Sequence, residues 1–287
     1  MNENTHVPRL SLDKSMELYK KALQIIPGGS QTTSKRPDGY APGAFPVYLD
    51  RGKGCRVFDV DGNEYIDYIM ALGPINLGYA YPRVNDAVRE QLEKATIVSL
   101  LNPLEVELAE EIIKAVPCAE MVRFMKSGAE ATSACIRIAR AYTGREKVLH
   151  SGYHGWLDTF SASLPDQKGI PQAMRDLIRS FPYSDLKSLK SILRQEGNEV
   201  ACIILEPRIP PVDGFLEGVR ELADQYGAVL IFDEIVTGFR VALGGAQEYF
   251  GVTPDLAAFA KGISNGLPLA AFAGKREVME TAKDLLI

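Results

Sequence analysis

From about residue 120 onward, short apolar segments alternate with amphipathic helical segments, and this alternation limits the possible folds more than any other feature. The segments with the pattern of strands are 121–125, 147–150, 200–205, 229–232, 256–260 and 269–273. Several are apolar throughout, as strands with both faces covered must be. Helical segments lie between them, near 129–142, 185–196 and 216–226. The pattern predicts an α/β fold with a mostly parallel sheet and helices on both faces.

The N-terminal part of the chain has a different pattern. A pair of short strand segments flanks Asp61-Gly62, which is typical of a β-hairpin. A loop rich in Gly, Pro, Ser and Thr precedes this hairpin. The predicted helices lie at 11–26, 83–95 and 104–116, and the predicted hairpin strands at 56–60 and 64–67. We therefore divide the chain into an N-terminal helix, loop and hairpin segment at 1–67 and a large domain at 68–287.

Composition excludes several classes of function. The 287 residues are 46% hydrophobic and 24% charged, with a net charge of −5 and no basic block. This balance indicates a globular protein and argues against nucleic acid or a membrane surface as a partner. No apolar run is long enough to cross a bilayer, and Met1–Pro8 lacks the apolar core of a signal peptide. The four scattered cysteines form no C-x-x-C pair, so we expect free thiols and a cytoplasmic protein.

Polar or functional residues follow five of the predicted strands. They are Lys126-Ser127-Gly128-Ala129-Glu130, Ser151-Gly152-Tyr153-His154-Gly155, Glu206-Pro207, Asp233-Glu234 and Lys261-Gly262. In an open α/β sheet, ligands bind beyond the carboxyl ends of the strands. The sequence therefore predicts one functional site at this edge of the sheet.

Three of these positions have both a functional and a structural interpretation. Ser127 and Glu130 form an S-x-x-E capping box, which opens a helix and leaves free N–H groups for an anion, although ordinary caps are far commoner. Asp233 ends a buried strand and needs a partner, for which a pyridinium N–H, a salt bridge or a helix cap would serve. Lys261 follows an apolar strand, where desolvation favours the neutral, nucleophilic amine, although most lysines lie on the surface.

The loop after the second strand of the large domain has two further candidates. Tyr153 lies between glycines and could stack on a planar ring, or it could simply fill the core. His150 and His154 are four residues apart, a spacing seen in metal sites. Gly152 between them and the strand that ends at His150 make a shared helix improbable, so we expect no metal site.

Together these motifs resemble the class III aminotransferases, which use pyridoxal 5′-phosphate (PLP). The residues that carry the resemblance are Leu230–Arg240, Ala260–Pro268, Ser127–Ala131, Tyr153–Gly155, Asp59–Asp67 and Leu77–Pro82. They occur in order over nearly the whole chain. The resemblance implies the fold of type I PLP-dependent transferases and a homodimer of the full-length chain. The substrates would be a small amino donor and a carbonyl acceptor.

The resemblance also assigns roles to single residues. Lys261 would carry PLP through a Schiff base and move protons, while Asp233 would hold the pyridine nitrogen protonated. Ile235 would pack against one face of the ring. The remaining cofactor-binding positions implied are Ser127, Gly128 and Ala129 at the phosphate, Tyr153 and His154 in the ring-stacking motif, and Glu206 at the pocket edge.

Within the family, the chain is most similar to the glutamate-1-semialdehyde aminomutase branch. The residues that carry this similarity are Ile26–Gly29, Gly73-Pro74 and Tyr142–Arg145. Ala71-Leu72 replaces the Ser-Trp usual in that branch, Lys126 its asparagine and Ala129 its threonine. The first departure favours an aminotransferase and leaves a 2,1-aminomutase as the alternative.

Family members continue beyond the point that corresponds to Ile287, with a threonine-bearing phosphate segment and a C-terminal domain. The resemblance therefore also implies that residues 1–287 are a fragment, a split gene product or a truncated chain. On this interpretation we expect weak PLP binding and impaired turnover.

Overall fold

The computed structural model describes residues 10–41, 43–165, 168–208 and 212–287. They form two compact units: the described residues of Met1–Leu72 with Leu77–Ala95, and Gly73–Asn76 with Thr96–Ile287. The domain boundary expected between residues 67 and 68 stays a prediction. Within the described residues, no helix has the length and apolar character that crossing a membrane requires.

The first unit combines two helices with a small antiparallel sheet, in the strand order β1-β2-β3. Its elements are α1 (Asp13–Ile25), β1 (Leu49–Lys53), β2 (Arg56–Asp59), β3 (Glu64–Ile66) and α2 (Pro82–Lys94). The predicted hairpin β2–β3 is confirmed, and the Asp59 carboxylate fixes its turn by accepting hydrogen bonds from Asp61, Asn63 and Tyr65. β1 was not predicted because its residues show no alternation of apolar and polar side chains.

The second unit contains a seven-stranded sheet in the order β4-β10-β9-β8-β7-β5-β6. Its strands are β4 (Met121–Met125), β5 (Lys147–Ser151), β6 (Ile178–Ser180), β7 (Val200–Leu205), β8 (Val229–Asp233), β9 (Leu256–Phe259) and β10 (Ala270–Gly274). Pairs among β5 to β9 are parallel, whereas β10 runs antiparallel to both β4 and β9. The predicted mostly parallel sheet is confirmed.

Helices cover both faces of this sheet. They are α3 (Pro103–Ala115), α4 (Gly128–Thr143), α5 (Asp158–Ser161), α6 (Gln172–Arg175), α7 (Leu186–Glu196), α8 (Phe215–Tyr226), α9 (Ala246–Phe250) and α10 (Arg276–Met279). Successive residues of β7 face opposite sides, so Ile204 packs in the core beneath α4 while Ile203 packs beneath α7 and α8. This two-sided burial explains why the strand sequences are apolar throughout.

The five strand ends that carry polar residues lie at one edge of the sheet. β5, β7, β8 and β9 are parallel to one another. β4 runs in the same direction as β9, because β10 between them is antiparallel to both. The carboxyl ends of all five strands therefore point the same way, as the sequence predicted.

Candidate active site

Lys261 follows β9, at the point where the strand turns sharply. Its backbone has a φ of 48°, in the left-handed region that side chains other than glycine rarely adopt. Its side chain is half-buried, and this burial lowers the pKa of the amine, although the charges of Asp233 and Glu206 act against the decrease. A larger fraction of the amine is therefore neutral than at an exposed lysine, as nucleophilic attack requires.

Arg240 lies near Lys261, and no role was predicted for it. A Cβ built at Gly73 would lie 3.5 Å from both Arg240 Nη2 and Lys261 Cδ. The Arg240 guanidinium donates hydrogen bonds to the carbonyl oxygens of Gly73 and Val236. Among the residues that the structure describes, it has no carboxylate partner, and burial lowers its pKa. Gly73 and Arg240 thus line the side of the Lys261 stem, a proximity that no local sequence signal reveals.

Asp233, the last residue of β8, is buried and has two protein partners. Its Oδ1 accepts a hydrogen bond from the Ile235 amide at 3.0 Å, and His154 Nδ1 lies 2.7 Å from its Oδ2. The His154 side chain is 0% exposed, and its Nε2 lies 3.2 Å from the Ser151 carbonyl oxygen. The structure therefore provides the Asp233 carboxylate with two hydrogen-bond partners, the Ile235 amide and the imidazole of His154.

The start of α4 has the predicted capping box. Ser127 Oγ accepts a hydrogen bond from the Glu130 amide, and the Glu130 carboxylate accepts one from the Ser127 amide at 2.8 Å. The amides of Gly128 and Ala129 stand in the first turn, where a helix has no backbone acceptors of its own. The helix dipole and these two N–H groups suit an anion.

Gly128 brings three of the predicted segments together. A Cβ built on it would lie 2.6 Å from Ile235 Cδ1 and 3.3 Å from the Cβ of Ala260, the residue before Lys261. Only a glycine lets the helix start approach these side chains so closely. The anion-binding end of α4 therefore lies directly beside the loops that follow β8 and β9.

The loop after β5 packs on the same helix start. Gly155 has a φ of +112°, and a Cβ there would lie 2.8 Å from the Cβ of Ala129. Thr132 of α4 donates a hydrogen bond to the main-chain oxygen of His154 at 2.8 Å. Tyr153 in this loop is 63% exposed, so the alternative that it fills the core is wrong. Its stacking on a cofactor ring stays a prediction.

Glu206 follows β7 and is partly buried. Burial raises the pKa of its carboxyl, and the charge of Asp233 raises it further, while Arg208, Lys261 and His154 act against the increase. The carboxyl group of Glu206 therefore interacts electrostatically with Asp233 at the end of β8 and with Lys261 after β9, the next two strands of the sheet. Within the described ranges, no group of three or more His, Cys, Asp and Glu side chains is arranged to hold a metal ion.

Comparison with known proteins agrees with this geometry. Residues 40–285 match the family "Aminotransferase class-III". The 3-aminobutyryl-CoA aminotransferase of Cloacimonas acidaminovorans is 44% identical over 285 residues, which are 96% of this chain and 68% of that protein. The glutamate-1-semialdehyde 2,1-aminomutase of Natranaerobius thermophilus is 41% identical, over 93% of this chain and 65% of its own.

Among solved structures, the chain is similar to an omega-transaminase from Sphaerobacter thermophilus. The TM-score is 0.86 at 33% identity, over 92% of this chain and 64% of the transaminase. The chain thus spans about two thirds of the length of the relatives it matches. The family match covers well over half of the sequence and includes every residue of the site described above. The chain therefore belongs to the class III aminotransferases.

Proposed function

We propose that this chain binds PLP on Lys261 and moves an amino group between an amine or amino acid and a carbonyl acceptor. The observation that carries the proposal is the position of Lys261 after β9, beside β8, which ends in Asp233. A partly desolvated amine and a buried carboxylate on adjacent strands suit the two ends of one pyridine-aldehyde ligand.

The donor set fits PLP, the cofactor of class III aminotransferases. A phosphate needs N–H donors, and the amides of Gly128 and Ala129 provide them at a helix start. A pyridine nitrogen that carries a proton needs an acceptor, and Asp233 is a buried carboxylate. An aldehyde needs a neutral amine, which burial favours at Lys261. The three groups match three different parts of the cofactor.

Each side chain would have a distinct task in the reaction. Bound PLP supplies the electron sink for negative charge that develops on the substrate. Lys261 Nζ would move a proton between substrate and cofactor as general base and acid. Asp233 would hold the proton on the pyridine nitrogen. Ile235 and Tyr153 would orient the ring from its two faces, and Glu206 would border it; these roles are part of the proposal.

A labelling experiment tests the proposal, and Lys275 provides a matched control. Lys275 directly follows β10, and Lys261 follows β9 after one residue, Ala260. Lys275 differs in that it donates a hydrogen bond to Asp255 at 2.6 Å, which raises its pKa. After incubation with PLP and borohydride reduction, mass spectrometry should find a pyridoxyl group on the peptide with Lys261 and none on Lys275. Label on another lysine with Lys261 unmodified would refute the assignment.

A 2,1-aminomutase is the second candidate, supported by the 41% identity to a protein of that name. An aminomutase retains the intermediate and returns an amino group to it, whereas an aminotransferase releases a keto product. The higher identity to a 3-aminobutyryl-CoA aminotransferase and the Ala71-Leu72 departure favour transfer. Analysis of the products separates the two, since only transfer releases a keto product from the amino donor and requires a separate carbonyl acceptor.

A homodimer is supported by an exposed apolar segment in the second unit. Ile97, Leu100 and Leu101 are 86–87% exposed, and the neighbouring Leu104 and Val106 are exposed as well. Large exposed apolar side chains this close together in the chain are typical of an interface with another protein. Leu101→Glu should reduce the molar mass measured by light scattering from that of a dimer to that of a monomer. An unchanged mass would contradict this assignment of the interface.

A cytoplasmic location is supported by the cysteines. None of the four forms a disulfide in the described residues, and Cys118, Cys135 and Cys202 are buried thiols. Fractionation of cells that express the protein tests this location.

A further inference from the structure

Residues 73–76 form a short segment that packs on two loops of the candidate site. They belong to the second unit, whereas the residues on both sides of them in the chain belong to the first. The segment makes a tight turn, in which the Asn76 amide donates a hydrogen bond to the Pro74 carbonyl oxygen at 3.1 Å. The Arg240 guanidinium donates to the Gly73 carbonyl oxygen, so the first residue of the segment is attached to the loop after β8.

The side chain of Asn76 attaches the other end of the segment. Its Nδ2 donates a hydrogen bond to the Phe239 carbonyl oxygen at 3.1 Å. This bond fixes the orientation of the amide, because exchanging its oxygen and nitrogen would place two acceptors face to face. A Cβ built on Gly262 would lie 3.1 Å from Asn76 Cγ and closer still to Nδ2. The absence of a side chain at Gly262 therefore lets the amide approach the backbone directly after Lys261.

The turn that the segment contacts has a backbone that is costly to form. Lys261 and Asn265 have φ angles of 48° and 50°, in the left-handed region. Residues other than glycine keep this conformation only where the surrounding structure imposes it. The segment contacts the turn beside each of these two residues: Asn76 lies against Gly262, and a Cβ built on Gly266 would lie 2.9 Å from Ile75 Cδ1.

The amide of Asn76 is an unfavourable choice for stability alone. Its Oδ1 is buried and has no hydrogen-bond partner among the described residues. A buried amide oxygen without a donor loses the hydrogen bonds that water would provide. An apolar side chain at this position would avoid that cost but could not donate to Phe239. The amide therefore fixes the contact between the loop after β8 and the turn after β9 at the expense of stability.

We propose that Asn76 is a positioning residue for Lys261. Held by the Phe239 carbonyl oxygen and packed on the backbone of Gly262, its amide sets the direction in which the lysine side chain leaves the turn. It thereby directs the lysine Nζ toward the cofactor aldehyde, whereas the phosphate donors belong to another element, α4. The proposal rests on the proposed function, which assigns the aldehyde to Lys261.

Two forms of the cofactor separate positioning from simple packing. PLP has an aldehyde that Lys261 can attack, whereas pyridoxamine 5′-phosphate has an amine in that place and binds without a bond to the lysine. We expect Asn76→Ala to bind PLP about tenfold more weakly than the parent chain and pyridoxamine 5′-phosphate within about twofold of it. Titration by absorbance measures the first affinity and calorimetry the second. Equal losses for the two ligands, or no loss for either, would overturn the proposal.

Gln91 of α2 provides a matched control. Its Nε2 donates to the Ala95 carbonyl oxygen at 3.0 Å, the same kind of bond as that of Asn76, but both residues belong to the first unit. Gln91→Ala should leave both affinities within about twofold of the parent values. A selective loss of PLP in this control would overturn the assignment to Asn76.

Gly262→Ala perturbs the same contact from the other side, because its Cβ would press on the Asn76 amide. It should reproduce the selective loss of PLP, and it decides the question alone if Asn76→Ala does not fold. Equal losses of both ligands in Gly262→Ala would overturn the proposal.

Hydrogen exchange measured by mass spectrometry tests the contact without any cofactor. The backbone amides of residues 261–266 should exchange about tenfold faster in Asn76→Ala than in the parent, while those of β7 should be unchanged. Equal exchange of residues 261–266 in the two chains would overturn the positioning role. Faster exchange there, together with no pyridoxyl label on Lys261, would support the contact and refute the proposed function instead.

Discussion

The contact between Gly128 and Ile235 gives a prediction whose magnitude follows from the structure. A Cβ at Gly128 would lie 2.6 Å from Ile235 Cδ1 and 3.1 Å from its Cγ1, whereas carbon atoms in contact prefer about 3.5–4.0 Å. Overpacking of this kind costs about 1–3 kcal/mol, which exceeds the roughly 0.5–1 kcal/mol that alanine gains over glycine in a helix. We expect Gly128→Ala to lower the free energy of unfolding by about 1 kcal/mol.

Urea denaturation of a double-mutant cycle measures this effect. Ile235→Val removes Cδ1, the nearer atom, so Gly128→Ala should cost less in the Ile235→Val background by about 0.5–1 kcal/mol. Gly39→Ala is the control, because a Cβ there meets nothing within 4 Å and should not destabilise the chain. If Gly128→Ala costs the same in both backgrounds, or stabilises the protein, the close approach of α4 to Ile235 is refuted.

Three further predictions concern the charged groups. Asp233→Asn should lower turnover about 10²–10³-fold with a much smaller change in melting temperature, because an amide cannot hold the proton on the pyridine nitrogen. Outright unfolding of this variant would show that Asp233 has a structural role instead. Because burial lowers the pKa of Lys261, covalent PLP attachment should rise with pH at a lower midpoint than for a lysine in a denatured control, and equal midpoints would contradict this. Burial tends to raise the pKa of Asp255, but hydrogen bonds from Lys275, Leu230 and Arg220 leave that pKa below its ordinary value. The ionised Asp255 should therefore stabilise the folded chain above the ordinary aspartate pKa, and this stabilisation should be lost as the pH falls through the lowered pKa. Acid denaturation of Asp255→Asn, with less pH dependence in that range than the parent, checks this last expectation.

The elements of the second unit were largely predictable because their signals are local. Strands β4 and β7 have the predicted bounds, and α4 begins at the predicted capping box and ends at Gly144 in the left-handed conformation. Strand β6 was missed because it has three residues, two of them exposed. A segment this short has no periodicity to detect.

The site residues that the sequence singled out follow strands of one sheet, so their convergence could be anticipated from the rule for strand ends. The position of Arg240 beside Lys261 could not be anticipated, because both side chains lie near Gly73, which is 167 positions from Arg240 in the chain. The hydrogen bond between His154 and Asp233 could not be anticipated either, because the two residues are 79 positions apart in the chain.

Local sequence signals were sufficient to identify every strand of the large sheet except β6, the strands covered on both faces, and the residues at strand ends. These properties follow from side-chain periodicity, caps and turn residues, all of which act over a few positions. The tertiary structure was needed to establish the strand order, with β10 antiparallel between β4 and β9, and the contact of His154 with Asp233. Every strand has the same backbone donors and acceptors, so an apolar strand sequence does not specify which strand lies beside it. The hydrogen-bond partners of a buried polar side chain can be distant in the chain, and only the packed structure shows which ones they are.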